Sequence, residues 1–371
     1  MAKAIAAKHM DDTISSQTYS LVTGLTLVRK LLSALYLTLN VTLQRVSHFC
    51  HALLTITFLI GALTTLPTKK VFAQDLVLTL RPDSAQFHQV SQGIEESLAG
   101  DIEMVDMVVG PGKDNRLIFD WITLNRPNAI ILMDNYGVNT YLAYQRQHPA
   151  RRYPPSIIVS TLAADRMVPL LANSSAILYE VPAVTSLVGL RKMMVNRPIQ
   201  KVGTIYRSDF KQTFLTQRKF ASLEQIELLG IEVPNDASSR ALKKALKALK
   251  KSETDAIWIM NDPALLTKSL ITRAWIPQLK KHKQPVVVGI KTLINSQLAL
   301  GDYATYPDHY ELGIQVGDKL FDLQDNRWQL ENNAPLQPIS ISKEVNIWRL
   351  NRKGIRFQQS LLNEFERIIT E

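Results

Sequence analysis

Side chains able to do covalent chemistry are scattered along this sequence rather than grouped. Ser208 and Lys211 have the S-x-x-K spacing of an acylating serine, but no S-D-N segment accompanies them, and KTL at residues 291–293 lacks the companion glycine. The segment GPGK at residues 110–113 lacks the spacing of a phosphate-binding loop. The histidines after residue 73 stand singly, without the pairing of a metal site. The sequence therefore predicts no enzyme, metal or cofactor.

Polar residues recur in a different pattern, directly after short apolar runs. In an open parallel sheet, ligands bind beyond the carboxyl ends of the strands, where helix N-termini also offer free N–H groups to an anion. We therefore predict a small-molecule cleft. Some of these side chains, such as Ser84 and Asp134, have the alternative role of helix N-caps, and both roles are compatible. The polar segments are 81–84, 134–136, 160–161, 207–209, 261–263 and 291–292.

Apolar runs and helical patterns alternate along the chain, which predicts an α/β fold with parallel sheets. About ten strands, counting those near the C-terminus, exceed one comfortable sheet and so indicate two lobes. We expect the first crossing between them at residues 181–200. The predicted strands are 76–80, 104–109, 129–133, 156–160, 176–179, 202–206, 256–260 and 286–290. The predicted helices are 85–98, 117–124, 138–147, 187–196, 212–229, 239–251 and 265–275.

The net charge of +10 on 371 residues is unevenly distributed. The first 73 residues hold seven basic and two acidic side chains, and so carry half of the excess. The densest later run, five lysines between 243 and 251, shares a segment with leucines at helical spacing, which indicates the solvated face of an amphipathic helix. Nucleic acid is therefore not a predicted partner. The single cysteine, Cys50, excludes a disulfide framework and an iron–sulfur cluster.

An uncharged apolar run at residues 52–66 has the length of a signal-peptide core and is short for a membrane span. We predict a leader over 1–73 with cleavage after Ala73, and export to the periplasm. A second apolar stretch at 31–43 leaves three alternatives open, namely an over-long reading frame, an extended signal or an uncleaved anchor. Cys50 precedes the apolar core and is not a lipid-attachment cysteine.

Ordered segments from residue 75 to the end resemble the substrate-binding components of ABC transporters, in particular the subfamily for aromatic and other amino acids. They are YEVP at 179–182, VGTIY at 202–206, AIWIMND at 256–262, QPVVVG at 284–289, YELG at 310–313 and VNIWRLNRKGI at 345–355. The resemblance implies a type I periplasmic binding protein fold, with two Rossmann-like lobes joined by a hinge. It places the first lobe at 74–183, the second at 184–299, and a return segment to the first lobe with a C-terminal strand and helix at 300–371.

The resemblance further implies a small, amino-acid-like ligand held between the lobes and an ABC permease as the membrane partner. Asp302 would pair with a ligand amine, Ser84 and Thr161 would bind a carboxylate, and Phe87 and Tyr136 would stack on an apolar part. Asn135 and Asn261 complete the predicted site. The segments at 134–136 and 290–292 are bulkier than the family's usual small residues, so its ligand preference does not transfer.

A second function remains open from the sequence, since the unusual leader also suits a membrane-tethered sensory or accessory module with the same fold. A sugar-repressor-like transcription factor would need an N-terminal helix-turn-helix, whereas this N-terminus is apolar.

Overall fold

The computed structural model describes residues 74–371, apart from residues 150, 196, 296, 297 and 299. The predicted leader, with its apolar segment 52–66, Cys50 and the cleavage site after Ala73, lies outside the described residues and stays a prediction. Within the described part of the chain, no helix combines the length and hydropathy needed to cross a bilayer.

The first sheet has five parallel strands in the order β2-β1-β3-β4-β5. The central strands are rich in Val, Ile and Leu and are buried on both faces, as helices on both sides of a parallel sheet require. The strands are β1 (Leu76–Arg81), β2 (Glu103–Val108), β3 (Ala129–Met133), β4 (Ser156–Val159) and β5 (Ser174–Ala176). The helices between them are α1 (Ala85–Leu98), α2 (Asn115–Asn125), α3 (Asp134–Gln147) and α4 (Ala164–Met167).

The second sheet has seven strands in the order β12-β11-β10-β9-β8-β6-β7, parallel except for the antiparallel pair β10–β11. Five of them, in the order β7-β6-β8-β9-β10, repeat the strand order of the first sheet. The strands are β6 (Lys201–Arg207), β7 (Glu227–Val233), β8 (Ala256–Ile259), β9 (Val286–Val288), β10 (Tyr303–Pro307), β11 (Ile341–Asn346) and β12 (Arg367–Ile369). Each sheet therefore has a switch point beside its first strand, where ligands bind in such folds.

Eight further helices follow along the described chain, and a π-helical segment, Ile271–Trp275, connects two of the short ones. They are α5 (Ala183–Met193), α6 (Lys211–Leu223), α7 (Ser239–Lys251), α8 (Lys268–Leu270), α9 (Ile276–Leu279), α10 (Lys291–Ile294), α11 (His309–Asp325) and α12 (Ile347–Arg352). Helix α7 confirms the amphipathic prediction, because its leucines are buried and the Ser238 hydroxyl accepts the Ala241 N–H at 3.2 Å.

The predicted helix 212–229 is wrong in its C-terminal part. Helix α6 ends at Leu223, and β7 begins at Glu227. Gln225 between them has φ of +57°, a left-handed conformation that interrupts a right-handed helix. The chain can therefore reverse and pair β7 with β6 along seven residues. The α/β class and the two parallel-dominated sheets are confirmed.

The chain passes between the two lobes three times, at residues 177–182, at Asp308 and at 336–340. A bridge between Ile177 and Leu336 ties the first passage to the third. Residues 300–371 contribute to both lobes, because α11 packs on α1 whereas β10, β11 and β12 extend the second sheet. The domain boundaries given above stay predictions. All of these elements lie in one compact unit.

Candidate ligand-binding cleft

A cavity of about 390 Å³ lies where the first passage between the lobes meets strand-end loops of both sheets. Ala163 and Asp165 contribute from the loop and helix after β4, Glu180 from the passage itself, and Asn261 and Gly289 from the ends of β8 and β9. Cavities of this size hold small molecules, and their position at the carboxyl ends of parallel strands is the expected one. We take this cavity as the candidate site.

A larger groove of about 580 Å³ lies on the first lobe, at the amino ends of β3 and β4. Its lining includes Arg126, Arg151 and Trp328. It joins no strand-end loops of the two lobes, so we do not assign the cleft function to it.

Aromatic side chains form much of the second-lobe wall of the cleft. Phe210 is almost fully buried at the start of α6, and Trp258 on β8 is 7% exposed. Phe220, farther along α6, is partly exposed. The cavity therefore runs along the flank of α6, whose polar side chains alternate there with the aromatic rings. Those polar residues are Gln212, Thr213, Thr216 and Gln217.

Of the acidic side chains that line the cleft, Glu180 has the most strongly shifted pKa. Its Oε1 accepts the backbone N–H of Ala163 at 2.7 Å. Burial raises the pKa of Glu180 to about 7, with a smaller contribution from the nearby charge of Asp165, and the Ala163 hydrogen bond opposes the rise. Among the described residues, no basic side chain lies within salt-bridge range of this carboxylate. A cationic ligand group would provide the missing counter-charge.

The arginines that end the first strand of each sheet are already paired. The Arg81 Nε donates to Asp106 Oδ2 at 2.5 Å, and the Arg207 Nε donates to both carboxylate oxygens of Asp262, at 2.7 and 3.0 Å. The side chain of Asp262 is fully buried, so the second pair is shielded from solvent. These guanidinium groups hold loops in place and are not free for a ligand anion.

Asn261 and Gly289 meet at the ends of neighbouring strands. The Asn261 Nδ2 donates to the Gly289 carbonyl at 3.3 Å. A Cβ at position 289 would lie 2.8 Å from both terminal atoms of the Asn261 side chain, which explains the glycine. The Asn261 amide thus lies flat against the β9 loop while it lines the cavity. Asn261 is the one predicted site residue among those lining this cavity.

The predicted first-lobe residues lie at the strand ends but outside the cavity lining. Ser84 is exposed at the start of α1 and makes no side-chain capping hydrogen bond within the described chain, while Phe87 packs in the core. The Asn135 Nδ2 donates to the Leu162 carbonyl at 3.3 Å, which joins the loops after β3 and β4. Thr161 is buried and its hydroxyl donates to the Val159 carbonyl at 3.0 Å. Tyr136 is 48% exposed.

Asp302 has partners other than the expected ligand amine. It is fully buried just before β10, where its carboxylate accepts the Arg349 Nε at 2.6 Å and pairs with Lys353. The backbone N–H of Val286 also donates to it, at 2.7 Å. Val286 begins β9, so this cluster lies at the amino end of the sheet, away from the strand-end loops. We therefore do not include Asp302 in the proposed site.

Sequence reasoning missed Glu180, Phe210 and Trp258. A signal for Glu180 was present, because an acid stands between apolar residues in YEVP at the predicted crossing. Trp258 lay within a predicted strand, where an aromatic residue suggests core packing. Phe210 follows the polar strand-end segment directly. No cluster of side chains suited to a metal ion occurs among the described residues. The cleft can desolvate, stack on and hydrogen-bond a small molecule.

No family model matches the chain, and no curated protein matches its sequence. Among solved structures, it is similar to the ABC domain from Streptococcus pneumonia solved in complex with L-Trp, with 15% identity and a TM-score of 0.55, covering 80% of this chain and 100% of that one. It is also similar to the ligand-free, open form of a substrate binding protein with adhesive properties from Clostridium difficile, with 12% identity and a TM-score of 0.58. That match covers 80% of this chain and 100% of the other.

These two similar proteins are described by a bound ligand or a substrate-binding role. The repeated strand order, the three passages between the lobes and the cleft at the strand ends agree with that similarity. The fold of residues 74–371 is that of the type I periplasmic binding proteins.

Proposed function

We propose that this protein is the solute-binding component of an ABC-type uptake system and acts outside the cytoplasm after export. It binds a small polar ligand, of amino-acid size, between its two lobes and presents the closed form to a membrane permease. The observation that carries this proposal is the cavity of about 390 Å³ at the carboxyl ends of the strands, with walls from both lobes and from the first passage between them.

The passages between the lobes support a closure mechanism. Residues 177–182, Asp308 and 336–340 are short connections, and rotation about them changes the distance between the two walls without unpacking either sheet. Arg166 on α4 of the first lobe lies over the Phe210 ring of the second lobe, with Cζ 4.7 Å from the ring centroid. A ligand that contacts both walls favours the closed form by its larger contact in that form.

The test is a thermal-shift panel with the purified protein. The panel holds the twenty amino acids, their decarboxylated amines, nucleosides and monosaccharides. A ligand at about 100 times its Kd stabilises the folded state by about 2.7 kcal/mol, which is easily seen as a rise in Tm. Small-angle scattering with the same compound should show a smaller radius of gyration.

Asn261→Ala provides the site control, because it removes an amide that lines the cavity. We expect it to reduce the ligand-induced shift, whereas Asn333→Ala on the exposed segment before β11 keeps the full shift. A folded protein that responds to no compound of the panel would contradict the uptake function. N-terminal sequencing of exported protein separates this function from the tethered module, since a soluble product beginning at Gln74 excludes a permanent anchor.

A further inference from the structure

The charged groups in the lining of the cleft are of one sign. Glu180 and Asp165 contribute carboxylates, and among the described residues that line the cavity none is Lys, Arg or His. The remaining polar groups are amides and hydroxyls, which are neutral and bind either sign of charge weakly. The Glu180 carboxylate is partly buried and has no basic partner among the described residues, which is costly, and a ligand cation would remove that cost.

The guanidinium groups near the cleft do not offset this charge. Arg207 is held by the buried carboxylate of Asp262. Its Cζ lies 5.2 Å from the centroid of the Phe210 ring. Arg166 lies over the same ring. Both cations contact the aromatic wall, and neither is among the cavity-lining residues. A ligand carboxylate would therefore find no side-chain cation in the cavity itself.

The apolar part of the cleft matches a ligand with a compact hydrophobic body. Trp258 and Phe210 present ring surface within the second-lobe wall, and Met260 adds a polarizable thioether beside them. Aromatic faces attract ammonium groups through the ring quadrupole, and Trp gives the strongest attraction. An ammonium near Glu180 would thus be favoured both by the carboxylate and by the aromatic surroundings.

We propose that the cleft binds an organic ammonium ion that has an apolar body and no carboxylate, with Glu180 as its counter-ion. This inference rests on the proposed solute-binding function and names the class of its ligand. It differs from the amino-acid expectation, in which helix N-termini and the hydroxyls of Ser84 and Thr161 bind a carboxylate. Those two hydroxyls lie outside the cavity lining, and Thr161 already donates to the Val159 carbonyl.

Binding of such an ion should depend on pH through Glu180. Burial holds its pKa at about 7, so the carboxylate is mostly protonated at pH 6 and mostly charged at pH 8. The groups that face it are the Ala163 N–H, which favours the charged form, and Asp165, which opposes it. The affinity for an ammonium ion should therefore rise about tenfold between pH 6 and pH 8.

The experiment compares matched pairs that differ by one carboxylate, measured by isothermal titration with the purified protein. The pairs are 2-phenylethylamine with L-phenylalanine, tryptamine with L-tryptophan, putrescine with L-ornithine, and choline with betaine. At least one ammonium ion should bind, and at least about tenfold more tightly than its carboxylated partner. Glu180→Gln should lower that affinity about tenfold and abolish the pH dependence.

The matched control is Glu95→Gln, the same chemical change on an exposed side chain of α1. It should leave both affinity and pH dependence unchanged. If the carboxylated partners bind equally well or better, the ammonium inference is overturned while the proposed solute-binding function stands. An unchanged affinity in Glu180→Gln would also overturn it. If no compound in this set or in the wider panel binds, the proposed function itself fails.

Discussion

The fold pairs several charged side chains with one another rather than leaving them free for a ligand, as Arg81, Arg207 and Asp302 show. Arg81 and Arg207 each follow a predicted strand, where ligands are expected, and the resemblance assigned Asp302 to a ligand amine. The structure gives each an opposite charge within the protein, with N–O distances of 2.5 to 2.7 Å. Glu180 differs, because a backbone N–H and no basic side chain of the described chain contacts it. Unpaired charge, rather than charge at a strand end, is the better indicator of the cleft.

Asp302→Ala tests whether Asp302 stabilises the fold through its ion pairs or binds the ligand. The substitution leaves the Arg349 and Lys353 side chains, both nearly buried, without their carboxylate. Breaking a buried ion pair by removing one partner costs about 3 kcal/mol or more, so we expect a loss of that size in urea denaturation. Asp318→Ala, on the exposed face of α11, should change stability by less than about 0.5 kcal/mol.

Ligand affinity distinguishes the two roles of Asp302. The folded fraction of Asp302→Ala should bind the cleft ligand as the unchanged protein does. A variant with normal stability and no ligand binding would contradict the structural role and restore the role expected from the sequence.

The sequence could not predict this cluster, because Arg349 and Lys353 lie 47 and 51 residues away along the chain. Asn261 directly follows the predicted strand 256–260, so its place at that strand end was predictable, and its role in binding stays a prediction.

Helices α1 and α11 are joined by glycines rather than by interlocking side chains. A Cβ on Gly93 would lie 2.2 Å from the Tyr310 carbonyl oxygen, and one on Gly313 would lie 2.2 Å from the Val90 carbonyl oxygen. The two backbones therefore approach as closely as glycine allows. This contact fixes α11, which follows the second passage between the lobes, to the first lobe.

Gly93→Ala should separate these helices, because backbone atoms cannot rotate away from the new methyl group. We expect a loss of about 2 kcal/mol in the free energy of unfolding, within the usual range for overpacking. Gln92→Ala is the control, because it places the same residue type next to Gly93 on the exposed face of α1. It should change stability by less than about 0.5 kcal/mol. Equal losses in the two variants would contradict the backbone contact.

The elements themselves were predictable where one physical signal dominated. Buried parallel strands such as β3 are unbroken apolar runs, and α7 separates lysines from leucines at helical spacing. Strand β7 was missed because its sequence, ELLGIEV, is charged at both ends of its apolar part and directly follows a helical pattern. Only the left-handed conformation of Gln225 separates the two elements, and Gln carries no strong signal for it.

At the scale of the whole molecule, the connections between the lobes hold buried polar groups on successive passages. Tyr179 follows β5, and its hydroxyl lies 3.0 Å from the His309 Nε2 at the second passage. Tyr306, on β10, stacks near His309 and donates to the buried Glu344 Oε1 at 2.5 Å. Burial, with a smaller contribution from the charge of Lys291, lowers the pKa of His309 to about 4 against the opposing effect of Asp308.

Glu180 and His309 should affect stability in opposite directions over the same pH range. The folded-state pKa of Glu180 is raised from 4.5 to about 7, so the folded state binds the extra proton and gains stability as pH falls from 7 to 4.5. The folded-state pKa of His309 is lowered from 6.5 to about 4, so the unfolded state binds the extra proton and folding loses stability as pH falls from 6.5 to 4. The two contributions partly cancel in the unchanged protein.

Single variants should reveal each contribution in urea denaturation at pH 8 and pH 5 without ligand. Glu180→Gln removes the gain on acidification, so its stability at pH 5 relative to pH 8 should fall by about 2 kcal/mol compared with the unchanged protein. His309→Gln removes the opposing loss, so the same difference should rise by about 2 kcal/mol. The exposed Glu95→Gln should follow the unchanged protein at both pH values. Parallel shifts of the two variants would contradict the assignment, because burial penalises an acid and a base at opposite ends of this pH range.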